Sequence, residues 1–440
     1  MKKVLLIANL FHASPRIPGI TVFLPEFGWQ ATVITPPVDE RARQVLGLSD
    51  EFFAKTIIVD ADYPGDIFWF WRKICTWLGL RTDESITQQI KKGFHVKSKK
   101  SIIDRLLIFY QEIFGYPDSE KTWISSALNA AVSCIEKERF DAMISSSPYP
   151  TSHIVAAKIT RRFGIPWVAD FRDPWTENPN FLFGSIRKFF ERRLEQKVMR
   201  MAKKITAVAP AYAEATARIN NRRVEVITNG FDPAIVNDPP KPLTKKFTIT
   251  YTGTLYQGKR DPKNLFIALR DILESGEIAE KEIEIRFYGK HQSWLQAEIE
   301  KYGLGHVAMQ KGQLPRLEVL QKQYESQILL LLGWGSEDSP DAGVYPGKIF
   351  EYFAARRPIL VVGGPENETI KKIVEQTGAG KGMARADDVK KILLEYYDEY
   401  QTTSTIAFRG NLEKIDEFNN RNIAEKVVRV LFSATNEKDC

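Results

Sequence analysis

Short apolar segments alternate with amphipathic helical segments along almost the whole chain, and this order limits the fold more than any other feature. The apolar segments of the first half include Lys3–Ala8 and Gln30–Thr35, Thr151–Phe163 is one of the predicted helices, and loops with Gly, Ser or Pro follow many of the segments. The strands predicted in the second half are Thr248–Thr252, Glu284–Tyr288, Ile328–Leu332 and Ile359–Val362. Strands that alternate with helices predict parallel sheets with helices on both faces. Ligands of such sheets bind at the carboxyl ends of the strands, so the loops there are the first place to look for function.

The chain is long enough for two domains. It has 440 residues, and a typical domain has roughly 100–200. Three prolines stand within Asp238–Pro242, where they can neither pair inside a sheet nor continue a helix. We therefore predict a linker there, with a first domain over 1–238, a second over 239–412 and a C-terminal helix in 413–440 that packs back on the first domain. The alternation breaks over 63–112, which we predict to be an insertion.

Two segments carry the excess positive charge. The net charge is +7, but Arg72–Arg105 holds nine bases against three acids and Arg187–Lys204 holds eight against two, a net +6 in each. The rest of the chain is therefore mildly acidic, at −5. Nucleic-acid binders more often spread bases over a whole face and carry a recognisable reading motif, and this sequence has no such motif. We predict no nucleic-acid partner.

Both basic segments also carry apolar side chains. Four adjacent aromatic residues, Phe68–Trp71, precede the first segment, and this mixture of Trp and bases is typical of a bilayer interface. The second segment has the spacing of a helix with one apolar stripe: Ile186, Phe190, Leu194, Val198 and Met201. Either segment contacts an anionic membrane, or its apolar residues face the core and its bases face solvent.

The sequence favours a cytoplasmic protein that associates with the inner face of the cell membrane. Three distant cysteines, Cys75, Cys134 and Cys440, form neither a disulfide framework nor a zinc site. The apolar start is broken by Asn9 and no small-residue cleavage site follows, which favours a first strand over a signal peptide. No run of 18 apolar residues occurs, so we predict no membrane-spanning helix.

The segment from Gly343 onwards is the most informative for chemistry. Gly343, Pro346 and Gly347 predict a loop that opens a helix. Free backbone N–H groups and the helix dipole make such a helix start a site for an anion such as a diphosphate. Lys348 adds a cation in the first turn, and Glu351 is placed to accept hydrogen bonds from a ribose diol. The alternative is an ordinary helix cap with a surface lysine and glutamate.

This segment resembles the nucleotide-sugar signature of GT-B glycosyltransferases of family 4, the retaining enzymes, in a bacterial surface-polysaccharide branch. The family pattern has two glutamates with seven residues between them. Glu351 matches the second, which holds the ribose in that family, whereas Gly343 replaces the first, which contacts the donor sugar. The resemblance implies that the backbone amides of 344–347, including Val344, Tyr345 and Gly347, take over the sugar contacts together with Asp341.

Two other segments support the resemblance on the donor side and at the domain boundary. Tyr251–Pro262 resembles the family's Gly-Arg-Leu-x-x-x-Lys-Gly loop, and Lys259 falls on the lysine that is expected on the donor diphosphate. Thr254 replaces the family arginine, so we expect Arg260 to supply that charge. Asn229–Asp232 matches the Asn-Gly-Val/Phe-Asp element that closes the first domain.

A third resemblance concerns the acceptor side. Ser145–Pro150 and Trp167–Trp175 resemble the acceptor-side wall of the same branch, with Asp170, Arg172 and Asp173 crowded at a strand end. Asp173 is the candidate for binding or deprotonating the acceptor hydroxyl. Arg172 either keeps Asp173 ionised or binds an acceptor phosphate. The alternative is an Arg–Asp pair that only braces a loop.

The resemblance implies an α/β protein of the GT-B class, in which two Rossmann-like domains face each other across a cleft. The expected activity is a hexosyltransferase type of glycosyl transfer with retention. The donor would be a UDP-, GDP- or dTDP-sugar and the acceptor a saccharide, free or linked to polyprenyl diphosphate, without metal or cofactor. Catalytic roles fall on Asp173, Arg172 and Lys259. Two alternatives stay open: a nucleotide-sugar epimerase of the same fold, and a non-catalytic membrane-associated scaffold, which Gly343 suggests.

Overall fold

The computed structural model describes residues 1–13, 15–69, 114–178, 184–334 and 343–436. The chain forms two compact units. The first comprises Met1–Val208, Tyr212–Ile227 and Ala424–Cys440, and the second comprises Ala209–Ala211 and Thr228–Ile423. The proline-rich segment Asp238–Pro242 thus belongs to the second unit. Most of the predicted insertion, from residue 70 to residue 112, lies outside the described residues.

A parallel sheet of seven described strands forms the centre of the first unit, in the order β3-β2-β1-β4-β5-β6-β7. Helices cover such sheets on both faces, so the strands are apolar along most of their length. The central strands β1 and β5 follow this rule, since Val4–Ile7 and all of β5 are buried. The strands are β1 Lys2–Ile7, β2 Trp29–Thr35, β3 Thr56–Asp60, β4 Ala142–Ser146, β5 Trp167–Phe171, β6 Lys204–Ala207 and β7 Glu225–Val226.

The helices that connect these strands complete the predicted alternation. The α-helix Thr151–Phe163 has the bounds that the sequence predicts, and Gly164 ends it in the left-handed conformation, with φ of +69°. The described helices of this part of the chain are α1 Leu10–Ala13, α2 Arg16–Thr21, α3 Glu40–Leu46, α4 Asp50–Lys55, α5 Ile124–Lys137, α6 Thr151–Phe163, α7 Ser185–Met199 and α8 Pro210–Asn220.

The second unit has a parallel sheet of six described strands in the order β10-β9-β8-β11-β12-β13. The two edge strands, β10 and β13, are absent from the prediction because Gly and Lys interrupt their apolar pattern. The strands are β8 Phe247–Thr252, β9 Ile283–Tyr288, β10 Ala308–Gly312, β11 Ile328–Leu332, β12 Ile359–Val362 and β13 Gly380–Met383.

Almost every side chain of helix α12 beyond its first residue is buried in the apolar core of the second unit. Ile349, Phe350, Tyr352 and Phe353 are all buried. This packing fixes the helix start against the carboxyl ends of the strands. The helices are α9 Lys263–Glu274, α10 Ser293–Lys301, α11 Arg316–Tyr324, α12 Lys348–Ala355, α13 Thr369–Gln376, α14 Ala386–Thr403, α15 Leu412–Asp416 and α16 Asn420–Asn436. None of the described helices is both long enough and apolar enough to cross a bilayer.

The C-terminal helix α16 contributes to the core of the first unit from Ala424 onwards. The ring of Phe432 packs edge-to-face on Trp29, with centroids 5.6 Å apart. The ammonium group of Lys2 lies 4.4 Å from the Phe432 centroid. These contacts tie the end of the described chain to the start of β1 and β2.

A buried ion pair joins helix α2 to the centre of the first sheet. Arg16 donates to both carboxylate oxygens of Asp170, with Nε–Oδ2 at 3.0 Å and Nη2–Oδ1 at 2.8 Å. Ser146 and Thr206 donate to the same carboxylate at 2.9 Å each. Burial alone would raise the pKa of Asp170, but the charge and hydrogen bonds of Arg16, with those from the two hydroxyls, lower it.

Breaking this pair from one side should destabilise the first unit. We expect Arg16→Met to lower the free energy of unfolding by about 3 kcal/mol, because it leaves a buried carboxylate without its counter-charge. Adding Asp170→Asn should recover part of the loss. Urea denaturation of the two variants measures the effect, with the exposed Arg41→Met as control; equal stability of Arg16→Met and wild type would contradict it.

Candidate functional site

In the second unit, the loop after β8 requires a glycine. Gly253 has φ of +107°, a conformation that other residues rarely adopt. A Cβ at this position would lie only 2.9 Å from the amine nitrogen of Lys348. The loop Gly253–Arg260 and the start of α12 therefore meet at one strand end, as the resemblance implies.

The amine of Lys348 is buried and forms no ion pair with a described residue. Its nitrogen is shielded from solvent, has no hydrogen-bond partner among the described residues and lies 3.7 Å from the ring centroid of Tyr251. Burial, followed by the positive charge of Arg260, lowers the pKa of Lys348 well below its usual value, against an opposing effect of Glu351. A bound anion would relieve this unfavourable charge.

Arg260 and Lys259, both predicted to bind the donor diphosphate, lie beside the ring of Trp334. The Arg260 guanidinium carbon is 4.4 Å and the Lys259 nitrogen 5.9 Å from the ring centroid. The Nε of Arg260 is shielded and has no hydrogen-bond partner in the described part of the chain, whereas Lys259 is exposed. The two cations thus rest on an aromatic platform at the end of β11.

Glu368 holds this platform in place. One carboxylate oxygen accepts the Trp334 backbone N–H at 2.9 Å. The other oxygen lies against Gly333 and Gly364, where an added Cβ would be 2.4 Å and 2.1 Å away, and it has no hydrogen-bond partner among the described residues. Burial raises the pKa of Glu368 to about 7, although the Trp334 hydrogen bond, Lys371 and Arg260 oppose the rise.

Glu351 lies on the first turn of α12 and is partly occupied by protein groups. Arg316 forms an ion pair with it at 3.2 Å, and the Gln323 amide donates to it at 3.3 Å. The same amide nitrogen lies 3.1 Å from the Thr252 hydroxyl at the end of β8. The carboxylate keeps some exposure, so it is held in one orientation while remaining open to a further donor such as a hydroxyl.

The helix start itself has no side-chain cap, since Gly347 at the N-cap position has none to offer. Such an end leaves backbone N–H groups for a ligand or water. Gly343, Val344 and Tyr345 lie just before it and are half-buried. Asp341 lies outside the described residues.

In the first unit, the residues after β5 surround a second cation whose charge is incompletely paired. The Nε and Nη1 atoms of Arg172 are shielded and have no hydrogen-bond partner among the described residues. Burial lowers the pKa of Arg172, as does nearby Arg16, while Asp173 and Asp170 oppose the shift. These two guanidinium nitrogen atoms therefore remain for a partner other than the described residues.

Asp173 is held by its loop and by a tyrosine. Its backbone carbonyl accepts from the Ser147 hydroxyl at 3.3 Å, and its Oδ1 accepts from the Tyr212 hydroxyl at 3.4 Å. The same Ser147 oxygen accepts the Arg172 backbone N–H at 2.9 Å. Ser147 thus fixes the turn that presents Arg172 and Asp173 together at the carboxyl end of β5.

His153 is a structural residue. It is completely buried, and burial lowers its pKa to about 3, so the ring is neutral at physiological pH. Its Nδ1 is 2.7 Å from the Ser145 hydroxyl, which also accepts from the Trp167 indole at 2.7 Å. The ring packs on Phe171 with centroids 4.7 Å apart. A buried neutral ring of this kind does not provide an accessible acid or base.

Sequence reasoning missed the residues that support the donor-side cations. Trp334 and Glu368 follow β11 and β12, and glycines accompany both: Gly333 beside Trp334, and Gly363 and Gly364 before Glu368. Glycines at the carboxyl ends of two adjacent parallel strands were the available signal. The contact between Trp334 and Glu368 could not be predicted, because the two residues lie 34 positions apart in the sequence.

Residues 115–230 match the family model described as a glycosyl transferase 4-like domain. This stretch contains the crowded segment Asp170–Asp173. Solved structures extend the likeness to both units. The chain has the GT-B fold. No curated protein matches its sequence significantly.

Three solved structures illustrate the fold at low sequence identity. Sucrose-phosphate synthase of Thermosynechococcus elongatus is 12% identical, with a TM-score of 0.58 over 99% of this chain and 100% of that one. HepE of Anabaena in complex with UDP-glucose is 13% identical, with a TM-score of 0.60 over 98% and 100%. A glycosyltransferase of Rickettsia africae is 10% identical, with a TM-score of 0.59 over 99% and 100%.

The raised pKa of Glu368 predicts a pH-dependent stability. Because the folded state holds this proton up to about pH 7 and the unfolded state loses it near pH 4.5, stability should fall as the pH rises through that window. Glu368→Gln, which can still accept from Trp334, should remove about 1–3 kcal/mol of this pH dependence. Urea denaturation between the two pH values measures it, with exposed Glu366→Gln as control; an unchanged slope in Glu368→Gln would contradict the assignment.

Proposed function

We propose that the protein is a glycosyltransferase that moves a sugar from a nucleotide-diphosphate sugar to a saccharide acceptor. One observation carries the proposal above the others: the buried amine of Lys348 has no counter-ion in the part of the chain that the structure describes, and it lies with Arg260 at one strand end. A diphosphate supplies the missing negative charge. The glycosyl transferase 4-like match over residues 115–230 supports the same activity from the first unit.

On the donor side, the residues divide into those that bind and those that stabilise the leaving group. Lys348 and the uncapped helix start at Gly347 bind the diphosphate, and Lys259 and Arg260 stabilise the charge that develops on it as the glycosidic bond breaks. Glu351 accepts the ribose hydroxyls. Backbone amides of 344–347 contact the sugar in place of the glutamate that the family has at the position of Gly343.

The solved structures named HepE contain UDP, UDP with glucose, or UDP-glucose. Those ligands belong to HepE, and the likeness supports a nucleotide-sugar donor of the UDP, GDP or dTDP type here. We propose transfer with retention, in which the leaving phosphate takes the acceptor proton as the new glycosidic bond forms. The reaction would need neither metal nor cofactor, because lysine and arginine neutralise the diphosphate.

On the acceptor side, Asp173 binds the hydroxyl that is to be glycosylated. Its position beside Arg172 and the Tyr212 hydroxyl supports this role. Arg172 then binds a phosphate of the acceptor. We propose a lipid-linked saccharide of a bacterial polysaccharide pathway as the acceptor, met at the inner face of the cell membrane.

Removing the donor-side groups should weaken donor use without unfolding the protein. We expect Lys259→Ala, Glu351→Ala and Lys348→Met each to lower kcat/KM for the donor by roughly 10–100-fold, as each loses a charge-assisted hydrogen bond. Release of the nucleoside diphosphate from a panel of UDP-, GDP- and dTDP-sugars measures it.

The exposed Lys372→Ala on α13 is the matched control and should keep wild-type turnover. Unchanged turnover in both Lys259→Ala and Glu351→Ala would refute the donor site. Interconversion of the sugar without any acceptor would indicate the epimerase instead, and no turnover of any donor would indicate the scaffold.

Replacing Asp173 should separate transfer from donor binding. Asp173→Asn should lower transfer to a saccharide acceptor by roughly 10–100-fold through the lost charged hydrogen bond, while the Kd for the free nucleoside diphosphate stays constant. Glu177→Gln, an exposed acid on the same loop, is the control. A parallel loss of nucleotide binding in Asp173→Asn would contradict a role limited to the acceptor.

A further inference from the structure

Helix α7 turns both of its acids towards the protein interior. Glu191 forms an ion pair with buried Arg187 at 2.7 Å and accepts from the Trp175 indole at 2.7 Å. Glu195 accepts from the backbone N–H and hydroxyl of Thr176 at 3.0 and 2.6 Å. Burial raises the pKa of both acids. Arg187, Glu191 and Glu195 on the inner face of this helix therefore form hydrogen bonds within the protein.

The outward face of α7 carries large apolar side chains, which an ordinary surface helix would bury. Of the two alternatives for the apolar stripe, the start of the helix does not fit the core-facing one, because Ile186 is 78% and Phe190 54% exposed, and Phe189 beside them is 52% exposed. Only its later members turn inward, since Leu194 is half-buried and Val198 buried. Apolar side chains this large cost free energy in water, so a contiguous group of three indicates a covered surface.

The bases of α7 lie around this apolar group and face solvent. The exposed bases are Lys188, Arg192, Arg193 and Lys197, with Arg200 directly after the helix. Since both acids are buried, the exposed surface of the helix is positive only. The Arg193 guanidinium carbon lies 4.6 Å from the centroid of Phe189, so the base reaches over the apolar group.

We propose that the outward face of α7 docks on an anionic lipid bilayer. Aromatic and aliphatic side chains enter the boundary between headgroups and acyl chains, while the surrounding bases meet the lipid phosphates. A nucleic acid would satisfy the bases but leave Ile186 without an apolar partner. The proposal rests on α7 alone and not on the proposed transferase activity.

The buried side of α7 is held by a neighbouring segment. Arg187 donates to the carbonyl oxygens of Gly115 and Pro117 at 2.7 and 3.1 Å. These contacts fix the start of α7 from its inward side and leave its outward face exposed.

Flotation of the full chain with vesicles tests the proposal. We expect binding to vesicles of equal parts phosphatidylcholine and phosphatidylglycerol, weaker binding as salt rises, and little binding to phosphatidylcholine alone. The triple variant Lys188→Gln, Arg192→Gln, Arg193→Gln should lower the partition coefficient by roughly 100-fold. The variant Phe189→Ser, Phe190→Ser should lower it by at least roughly tenfold.

A matched variant on α3, Arg41→Gln with Val45→Ser, replaces an exposed base and an exposed apolar residue elsewhere in the first unit and should bind like wild type. Equal binding to neutral and anionic vesicles, or equal loss in the α3 control, would overturn the proposal. So would a monomer–oligomer shift caused only by the α7 variants, because that result would show a face between two copies.

The α7 variants should also keep wild-type nucleotide release from a soluble donor. This readout distinguishes the two proposals. Loss of vesicle binding with intact donor turnover supports docking, whereas an absence of donor turnover in the wild type refutes the transferase and leaves the vesicle result to stand by itself.

Discussion

The buried amine of Lys348 is the constraint around which the second unit is arranged. A cation that has left water without a counter-ion is expensive, and the fold tolerates it because the apolar contacts of α12 hold the helix start in place. At Gly253, the Lys348 amine occupies the space that a Cβ would need. The same amine lies over the ring of Tyr251. A bound anion would offset this cost.

The buried cations differ in whether the described residues satisfy their nitrogen atoms, and the difference cuts across the two units. Two nitrogen atoms of Arg16 donate to the two carboxylate oxygens of Asp170, so the charge of Arg16 is neutralised within the protein. Arg172 and Lys348 keep shielded nitrogen atoms without hydrogen-bond partners among the described residues. Each follows the carboxyl end of a parallel strand or the loop beside it, where ligands of α/β sheets bind. Geometry therefore distinguishes residues of the same chemical type that sequence alone treats alike.

Much of the fold could be predicted because local patterns determine it. The interior strand β11 and the helix α6 have the predicted bounds, since each forms from a pattern contained within its own residues. The edge strands β10 and β13 were missed because an edge needs little apolar sequence. On the donor side, the family resemblance implied that Lys348 and Glu351 lie next to the loop of Arg260. It could not predict Glu368 under Trp334, because that contact depends on which strands are neighbours. The orientation of α7 was equally hidden, since its inward acids are matched by Trp175 and Thr176 from another segment.

The inward acids of α7 have a consequence for how this protein can change over time. Glu191 and Glu195 secure Trp175 and Thr176, which directly follow the loop of Asp173, and they do so from one side of the helix only. Substitutions on the opposite side leave those contacts untouched. Substitutions on the outer surface of α7 can therefore accumulate one by one during evolution, while the geometry next to Arg172 and Asp173 is preserved. Surface and chemistry can evolve separately although they share fifteen residues of backbone.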